Sequence, residues 1–453
     1  MEPILSTILS QLREMPEARR THHYWSAYSG GLDSHVLLHA MARLADTLQG
    51  VRISAVHINH RLQAEADQWA QHSLVTAGQL GIECQVIVVD PRPQPGESPE
   101  AAARHARYGA MEKLIGPQQI LLTAHHQDDQ AETLLLQMIR GAGPHGLAAM
   151  PFVTRFGSGW LARPLLTIPR DSLHQYALDQ GLHWIEDHSN QDRRFSRNYL
   201  RHEILPRFRH RWPAIGATLG RVAGHQAEVA EHLDRLAAAE LADLSGSQPD
   251  TLSCRGLGHL PPSRQRSLLH AWFRHLGLPV PYAVHLQRIL TDVIVTASDR
   301  QPVVSWKGAE VRRYRDDLYA NPPLLDHDRS QVIPWSLERS LCLPHGRLEA
   351  RRVIGTGLRA AVCPGGKVEV RFRQGGERCR VGAPGRARPH TSVLKKLFQE
   401  RGIAPWQRDR IPLIFIAGQL AAVAGLWLCH SFAAGSDEPG WELRWVSFFH
   451  RQR

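Results

Sequence analysis

The apolar positions of the first third of the chain fall into two kinds of block. Short, nearly continuous apolar runs at 24–28, 52–58, 82–89 and 119–123 have the length and composition of strands buried on both faces of a parallel sheet. The stretches between them have helical spacing. One opens with Ser98, Pro99 and Glu100, an N-cap, a first-turn proline and an acid at the positive helix end. This alternation occurs four times before residue 140. It predicts an α/β N-terminal domain, a Rossmann-like parallel sheet with helices on both faces. From 215 to 244 no proline interrupts the chain, and Leu219, Val222, Val229, Leu233 and Leu236 keep a helical spacing broken only at Gln226. A long linker helix is expected there, with those residues as its buried stripe. Residues 251–295 again read as helices, followed by a strand Val303–Trp306, a Lys307-Gly308 turn and one strand over 311–319. Asn321-Pro322-Pro323 and the polar residues to 331 read as a linker. The expected organisation is a nucleotide-binding catalytic domain at 1–214, a linker helix at 215–245, a mainly helical middle domain at 246–325 and a small mixed α/β C-terminal domain at 332–453.

Charge narrows the partner. With 54 Lys and Arg against 43 Asp and Glu in 453 residues, the net charge is +11, which favours a polyanion such as nucleic acid. Two blocks concentrate it: residues 193–211 hold seven arginines and one acid, Glu203, and residues 371–410 hold eleven basic residues and three acids. Either is a candidate phosphate-tracking face, with Phe372, Phe398 and Trp406 interleaved in the second as candidate base-stacking rings. No run of about 18 apolar residues offers a membrane span, and the start lacks the pattern of a signal peptide. A cytoplasmic protein with no membrane partner is expected. Its six cysteines are widely spaced with no C-x-x-C pair, so they are expected to be reduced and free of zinc or disulfide roles.

The chemistry centres on Ser29-Gly30-Gly31-Leu32-Asp33-Ser34, between the first strand and the first helix of the sheet. A glycine-rich turn there presents backbone N–H groups and two hydroxyls to an anion at the positive helix end. Ala27 closes the strand before it. No G-x-x-x-x-G-K-[ST] occurs, and Asp33 inside a phosphate cradle requires a divalent cation between carboxylate and phosphate. A second glycine motif, Gly141 to Gly146, fits G-x-G-x-x-G but follows a helix and carries Pro144, so it lacks the strand a dinucleotide site needs. His57 and His60 end the second strand, where open α/β sheets bind ligands, without a third neighbour to make a metal site. Arg104 and Arg107 share one helix face, as do Asp129 and Glu132. The first pair suits phosphate, the second an ammonium group or magnesium.

The loop resembles the S-G-G-x-D-S signature of PP-loop ATP pyrophosphatases, which cleave ATP to AMP and pyrophosphate. The run His125-His126-Gln127-Asp128-Asp129-Gln130-Ala131-Glu132-Thr133, with Arg140-Gly141-Ala142-Gly143, Arg163-Pro164-Leu165-Leu166, Glu186-Asp187-His188-Ser189-Asn190, Arg197-Asn198 and Leu205-Pro206, narrows this to the bacterial tRNA(Ile)-lysidine synthetases. The stretches from Arg371 to Arg378 and from Leu394 to Glu400 resemble the C-terminal domain of the family's longer members, so the resemblance spans the chain.

The resemblance implies an ATP-dependent ligase. The wobble cytidine of an isoleucine tRNA with a CAU anticodon is adenylated at its C2 oxygen, and free L-lysine then displaces AMP to give lysidine. It implies ATP and Mg2+ as cofactors, with Ala27, Ser29, Gly30, Gly31, Leu32, Asp33, Ser34, His57 and Arg107 binding nucleotide and Asp33 reaching the metal. Catalytic roles are implied for Asp33, Arg104, His125, Asp129 and Glu132. Arg104 faces the α-phosphate, His125 the ribose or phosphate, and Asp129 and Glu132 serve lysine as ligand or base, with the division among Asp128, Asp129 and Glu132 left open. The oligomeric state is also open, a homodimer being one option. A sulfur-transferring PP-loop relative is disfavoured because Cys84, within a strand, is the nucleotide domain's one cysteine. A noncatalytic RNA-binding protein with a relic nucleotide fold is opposed by the intact loop and carboxylate run.

Overall fold

A computed structural model describes the chain except residues 1, 49, 62, 64, 94–98, 187–191, 296–300, 325, 382–389 and 448–453. Ser98 of the expected helix start and Asp187, His188, Ser189 and Asn190 of the family motif lie outside the described residues. The chain forms two compact units, residues 1–233 and 234–453.

The first unit begins with α1 (Pro3–Glu14), whose Ile4, Leu5, Ile8, Leu9 and Leu12 bury one helical face. Then follow β1 (His23–Ala27), α2 (Leu32–Leu44), β2 (Arg52–Asn59), α3 (Ala66–Gln79), β3 (Glu83–Val88), α4 (Pro99–Leu114), β4 (Gln119–Leu122) and α5 (Gln127–Ile139). After the short α6 (Pro144–Leu147), a hairpin of β5 (Val153–Phe156) and β6 (Gly159–Ala162) leads to α7 (Arg170–Asp179). The sheet order is β3-β2-β1-β4-β6-β5, parallel except for the last pair. The four expected strands stand within a residue or so of their predicted ends. The hairpin was not foreseen; its two four-residue strands are shorter than a periodicity window can separate from loop. Because the chain leaves β1 for β2 on one side and places β4 on the other, the switch point of the sheet lies between the carboxyl ends of β1 and β4, where open sheets bind ligands.

Beyond α7 come α8 (Ser196–Tyr199), a π-type turn at Leu200–Ile204, α9 (Leu205–Arg211) and the long α10 (Ile215–Asp243). The stripe expected on α10 is not its buried face. Val222, Val229 and Leu236 are exposed, whereas Gly216, Ala223, Ala230 and Ala237, at an unbroken spacing of seven, are buried. Small residues let the helix backbone approach its neighbours closely. A Cβ at Gly216 would come 2.8 Å from Gln127 Oε1.

The second unit contains β7 (Leu252–Ser253), α11 (Cys254–Gly258), α12 (Pro262–His275), α13 (Ala283–Arg288), β8 (Val303–Trp306), β9 (Ala309–Tyr314) and β10 (Asp317–Asn321). Its helices pack on an antiparallel sheet ordered β7-β10-β9-β8. The single strand expected over 311–319 is two, because the chain reverses at Arg315-Asp316 with Arg315 at φ 57°. No glycine marks that turn, and Asp317 and Leu318 continue the β pattern across it. The rest is mostly β, in sheets of five, four and two antiparallel strands, with two short helices at Leu394–Glu400 and Pro405–Arg408. The mixed α/β reading of the C-terminal part is corrected accordingly. Trp406 packs edge-on against Tyr319, 5.3 Å between ring centres, so this part shares a core with the preceding sheet.

The expectation of six free cysteines is also corrected: Cys379 and Cys429 form a disulfide with 5.4 Å between Cα atoms. Fifty residues apart in sequence, they meet because both enter the same buried cluster around Leu397, Phe398 and Leu413. Among the described residues, no helix is long and apolar enough to cross a membrane.

Candidate functional site

At the switch point a cavity of about 570 Å³ opens, lined by Ala27, Ser29, Gly31, Leu32, Asp33 and Ser34 from the first loop. His57 to His60, Arg107, Tyr108, His125, Arg170, Glu186, Arg201 and His202 add to its walls. The loop is stiffened from within. Ser34 Oγ donates to the Gly31 carbonyl at 2.9 Å, accepts from the Ser29 N–H at 3.2 Å and lies 3.0 Å from Ser29 Oγ. Gly31 caps α2 without any side-chain bond, so the first-turn amides of that helix remain available to an anion. Gly30 is not in the lining. It sits at φ 86°, where a Cβ would come 2.8 Å from Ile185 Cδ1, and its carbonyl accepts from the Ile185 N–H. Glycine is needed there to bring the loop against residues 184–186.

Behind the cavity the carboxylates form a buried ionic lattice. Glu132 is wholly inaccessible, and its oxygens accept from Arg197 Nε and Arg201 Nε at 2.7 Å each, with Arg201 Nη2 at 3.0 Å. Asp129 Oδ1 accepts from both arginines at 3.2 and 3.0 Å. Arg209 pairs with Asp128 at 2.6 Å. Among the remaining arginines of the first basic block, Arg193 and Arg207 pair with Glu203, and Arg194 with Asp192. The block's arginines thus mostly meet the protein's own carboxylates, Arg197, Arg201 and Arg209 half-buried and Arg193, Arg194 and Arg207 exposed. Sequence alone missed this because Arg197 and Arg201 lie 65 to 72 residues from their partners.

His126 links lattice and loop. It caps α5 in a reciprocal pair with Asp129, and its Nε2 lies 3.4 Å from Asp129 Oδ2 and 3.6 Å from Asp33 Oδ2. Burial opposes its charging, but the hydrogen bond it donates to Asp33 and the charges of Asp129, Asp33 and Asp128 outweigh it and raise the imidazole above its ordinary range. Burial likewise opposes ionisation of Asp129, and His126, Arg197, His125 and Arg201 overcome it, holding the carboxyl below its usual range. His125, in the cavity wall with Nδ1 2.9 Å from Thr123 Oγ1, is pushed down to about 3, chiefly by burial. It is a neutral hydrogen-bonding group at neutral pH. His57 is buried with Nδ1 3.0 Å from the Tyr28 carbonyl oxygen and 3.1 Å from Ser73 Oγ, a packed wall residue.

Arg107 lines the cavity, whereas Arg104 does not; both guanidinium groups approach Tyr108, at 4.8 Å for Arg104 and 5.8 Å for Arg107. Among the described residues no three His, Cys, Asp or Glu side chains cluster as a metal cage. Asp33 fits a magnesium ion shared with phosphate in another way. Its Oδ1 is buried with no hydrogen-bond partner, the nearest cation being Arg170 Nε at 3.8 Å. Magnesium is commonly held by one carboxylate together with the phosphates themselves.

The sequence matches three family models: a PP-loop domain over residues 4–208, a TilS substrate binding domain over 252–319 and a TilS substrate C-terminal domain over 368–445. It is 44% identical to the tRNA(Ile)-lysidine synthase of Methylococcus capsulatus, covering 93% of this chain and 96% of that one. Identity to the enzyme of Coxiella burnetii is also 44%, over 92% of each. The solved U34-tRNA thiolase NcsA from Methanococcus maripaludis superposes with a TM-score of 0.42 at 15% identity, over 50% of this chain and 78% of that one.

Proposed function

Since the chain belongs to the tRNA(Ile)-lysidine synthase family, we propose that its cavity performs both halves of that reaction. The wobble cytidine of an isoleucine tRNA with a CAU anticodon is adenylated by ATP, and L-lysine then displaces AMP from its C2 to give lysidine. The observation that carries this reading is the cavity itself. It joins an uncapped helix N-terminus and Asp33 to three arginines, Arg107, Arg170 and Arg201, which suits a triphosphate at one end and a second reactant at the other.

The loop amides after Gly31 receive the pyrophosphate portion of ATP, and Asp33 would hold magnesium beside it. When bound, the metal neutralises charge on the leaving pyrophosphate. Ser29 and Ser34 keep the loop shaped for that anion. Arg201 is a fixed cation for charge developing on the α-phosphate, a role the sequence alone assigned to Arg104. Burial works against its charge, but the hydrogen bond and charge of Glu132 with those of Asp129 and Asp33 raise its pKa, so Arg201 stays protonated throughout the reaction. Glu132 and Asp129 thereby act as positioning residues in the closed lattice. Among the described residues the acids lining the cavity are Asp33 and Glu186, which makes Glu186 a wall carboxylate placed to meet an ammonium group of lysine. His125, neutral, orients ribose or phosphate without taking a proton.

Incubation with labelled lysine, ATP and total tRNA tests the reaction. Label entering one isoleucine tRNA species, with AMP released in equal amount, is the expected result. Label in no tRNA, or AMP release without tRNA, overturns it.

A further inference from the structure

Large aromatic side chains are normally covered, and most of those among the described residues are. Four stand out as exposed among the described residues, and three of these lie within one stretch: Phe195, Tyr199 and Trp212. Phe195 and Tyr199 flank a single helical turn, the Tyr199 N–H donating to the Phe195 carbonyl at 2.9 Å, so their side chains share a face. The same short helical run then turns Arg201 and His202 into the cavity wall. The two rings, about 40% and 48% exposed, thus lead into the cavity wall, Tyr199 three residues before His202, on a segment that also carries the exposed Arg193, Arg194 and Arg207.

We propose that Phe195 and Tyr199 form a stacking surface for the single-stranded bases that flank the target cytidine in the tRNA. The inference rests on the reaction assigned above and adds a recognition element to it. Chemistry at C2 of a base inside the cavity requires that base to leave the stack of its loop. Its neighbours then lose a stacking partner. Aromatic faces beside the cavity replace that partner. Stacking also explains an arrangement that charge does not, since the arginines nearest these rings are largely committed to Glu203, Asp192 and the buried carboxylates.

The test uses the full-length protein and an anticodon stem–loop RNA carrying 2-aminopurine in place of the adenine next to the target cytidine. Wild-type protein should quench the probe on binding. Tyr199→Ala and Phe195→Ala should each lose most of that quenching and bind the stem–loop roughly 5- to 150-fold more weakly, while the KM for ATP stays unchanged. Tyr199→Phe should keep both affinity and quenching, and Tyr199→Leu, which preserves apolar bulk without a π face, should not. Wild-type affinity and quenching in both alanine variants, or full rescue by leucine, would overturn the proposal. So would variants that alter the sedimentation of the free protein while leaving RNA quenching intact, since the face would then belong to a second copy of the chain. Lysidine formation by wild-type protein on full-length tRNA is measured alongside; its failure would count against the reaction assignment and not against the rings.

Discussion

Two arginine-rich segments look alike in sequence and differ in the folded molecule. In residues 193–211 the arginines mostly meet the protein's own carboxylates: Arg197 and Arg201 grip Asp129 and Glu132, Arg209 grips Asp128, and the exposed Arg193, Arg194 and Arg207 pair with Glu203 and Asp192. In residues 371–410 the basic residues divide. Arg408 is buried and donates to the Ile403 carbonyl and to the Tyr314 hydroxyl, and Arg373 pairs with Asp409. Arg378, Arg380, Lys395, Lys396 and Arg401 remain exposed. The first segment builds a rigid wall for a catalytic cavity; the second presents a charged surface. Density of basic residues therefore does not identify an RNA-binding face. What decides is whether the fold brings carboxylates to meet them.

The sharpest way to break this contrast is to empty the lattice. Removing one partner of a buried ion pair leaves the other charge without compensation, at a cost of about 3–5 kcal/mol. Glu132→Ala should accordingly lower unfolding free energy by that order in urea titrations and abolish both adenylation and lysine transfer, because Arg197 and Arg201 lose their anchor. If stability is unchanged and only lysine transfer fails, Glu132 is a lysine ligand and the lattice is not structural.

Asp33→Asn comes next. The change keeps the side chain's size but removes the charge that faces the pyrophosphate position, so tRNA-dependent AMP formation should fall about 100-fold or more, a loss of roughly 3 kcal/mol of transition-state stabilisation. Binding of tRNA, measured by filter retention, should change little. Near-normal AMP release would remove the loop carboxylate from the mechanism.

Much of this was legible beforehand, for identifiable reasons. The four core strands of the parallel sheet are continuous apolar runs between turn residues, and the Ser29-to-Ser34 loop needs only local sequence to take its shape. What escaped depended on distant chain. The partners of Glu132 lie beyond four further elements, and the Cys379–Cys429 bond spans 50 residues. The buried face of α10 was misassigned because valine and leucine outrank alanine in any hydrophobic pattern, although close backbone approach favours Ala223 and Ala230. Phe372, Phe398 and Trp406, candidates for stacking bases, are core residues at 3%, 0% and 8% exposure. The exposed rings proved to be in the other segment, at Phe195 and Tyr199.

A pH titration examines what the two units have in common. Burial brings His35 down to about 4 and His125 to about 3 in the first unit, and His345 to about 4 in the second. Each is neutral when folded, while its unfolded form takes up a proton near pH 6.5. Stability from these groups is thus fully present above pH 6.5 and is lost as pH falls toward 4, by at most about 1.4 kcal/mol per pH unit per histidine. His126, with a raised pKa, has the opposite sign: its contribution is complete below pH 6.5 and declines as pH rises through its folded value. Urea titrations at pH 7, 6 and 5 should show falling stability, and His35→Gln should flatten that slope. An unchanged slope in the variant would mean that His35 is protonated in the folded protein.

The smallest effect belongs to the exposed half of the comparison. Lys395 and Lys396 open the helix at Leu394–Glu400 and stand in solvent, with only a 3.9 Å surface pair between Lys396 and Glu400. Truncating the chain at 332 would be a poor test of this surface, because it strips Trp406 from Tyr319 and removes the partners of Tyr314 and Arg315. Charge substitution leaves the core in place. If the exposed residues meet tRNA phosphates, each one lost releases fewer counterions, so Lys395→Gln with Lys396→Gln should reduce the log–log salt slope of tRNA binding by roughly 0.7–0.9 per contact. Affinity at moderate salt should drop by about 1 kcal/mol or less for each residue. Glu132→Ala, by contrast, should disturb stability far more than the salt slope. Should the double lysine variant bind with an unaltered slope, this surface does not touch the RNA, and the second arginine-rich segment would be structural like the first.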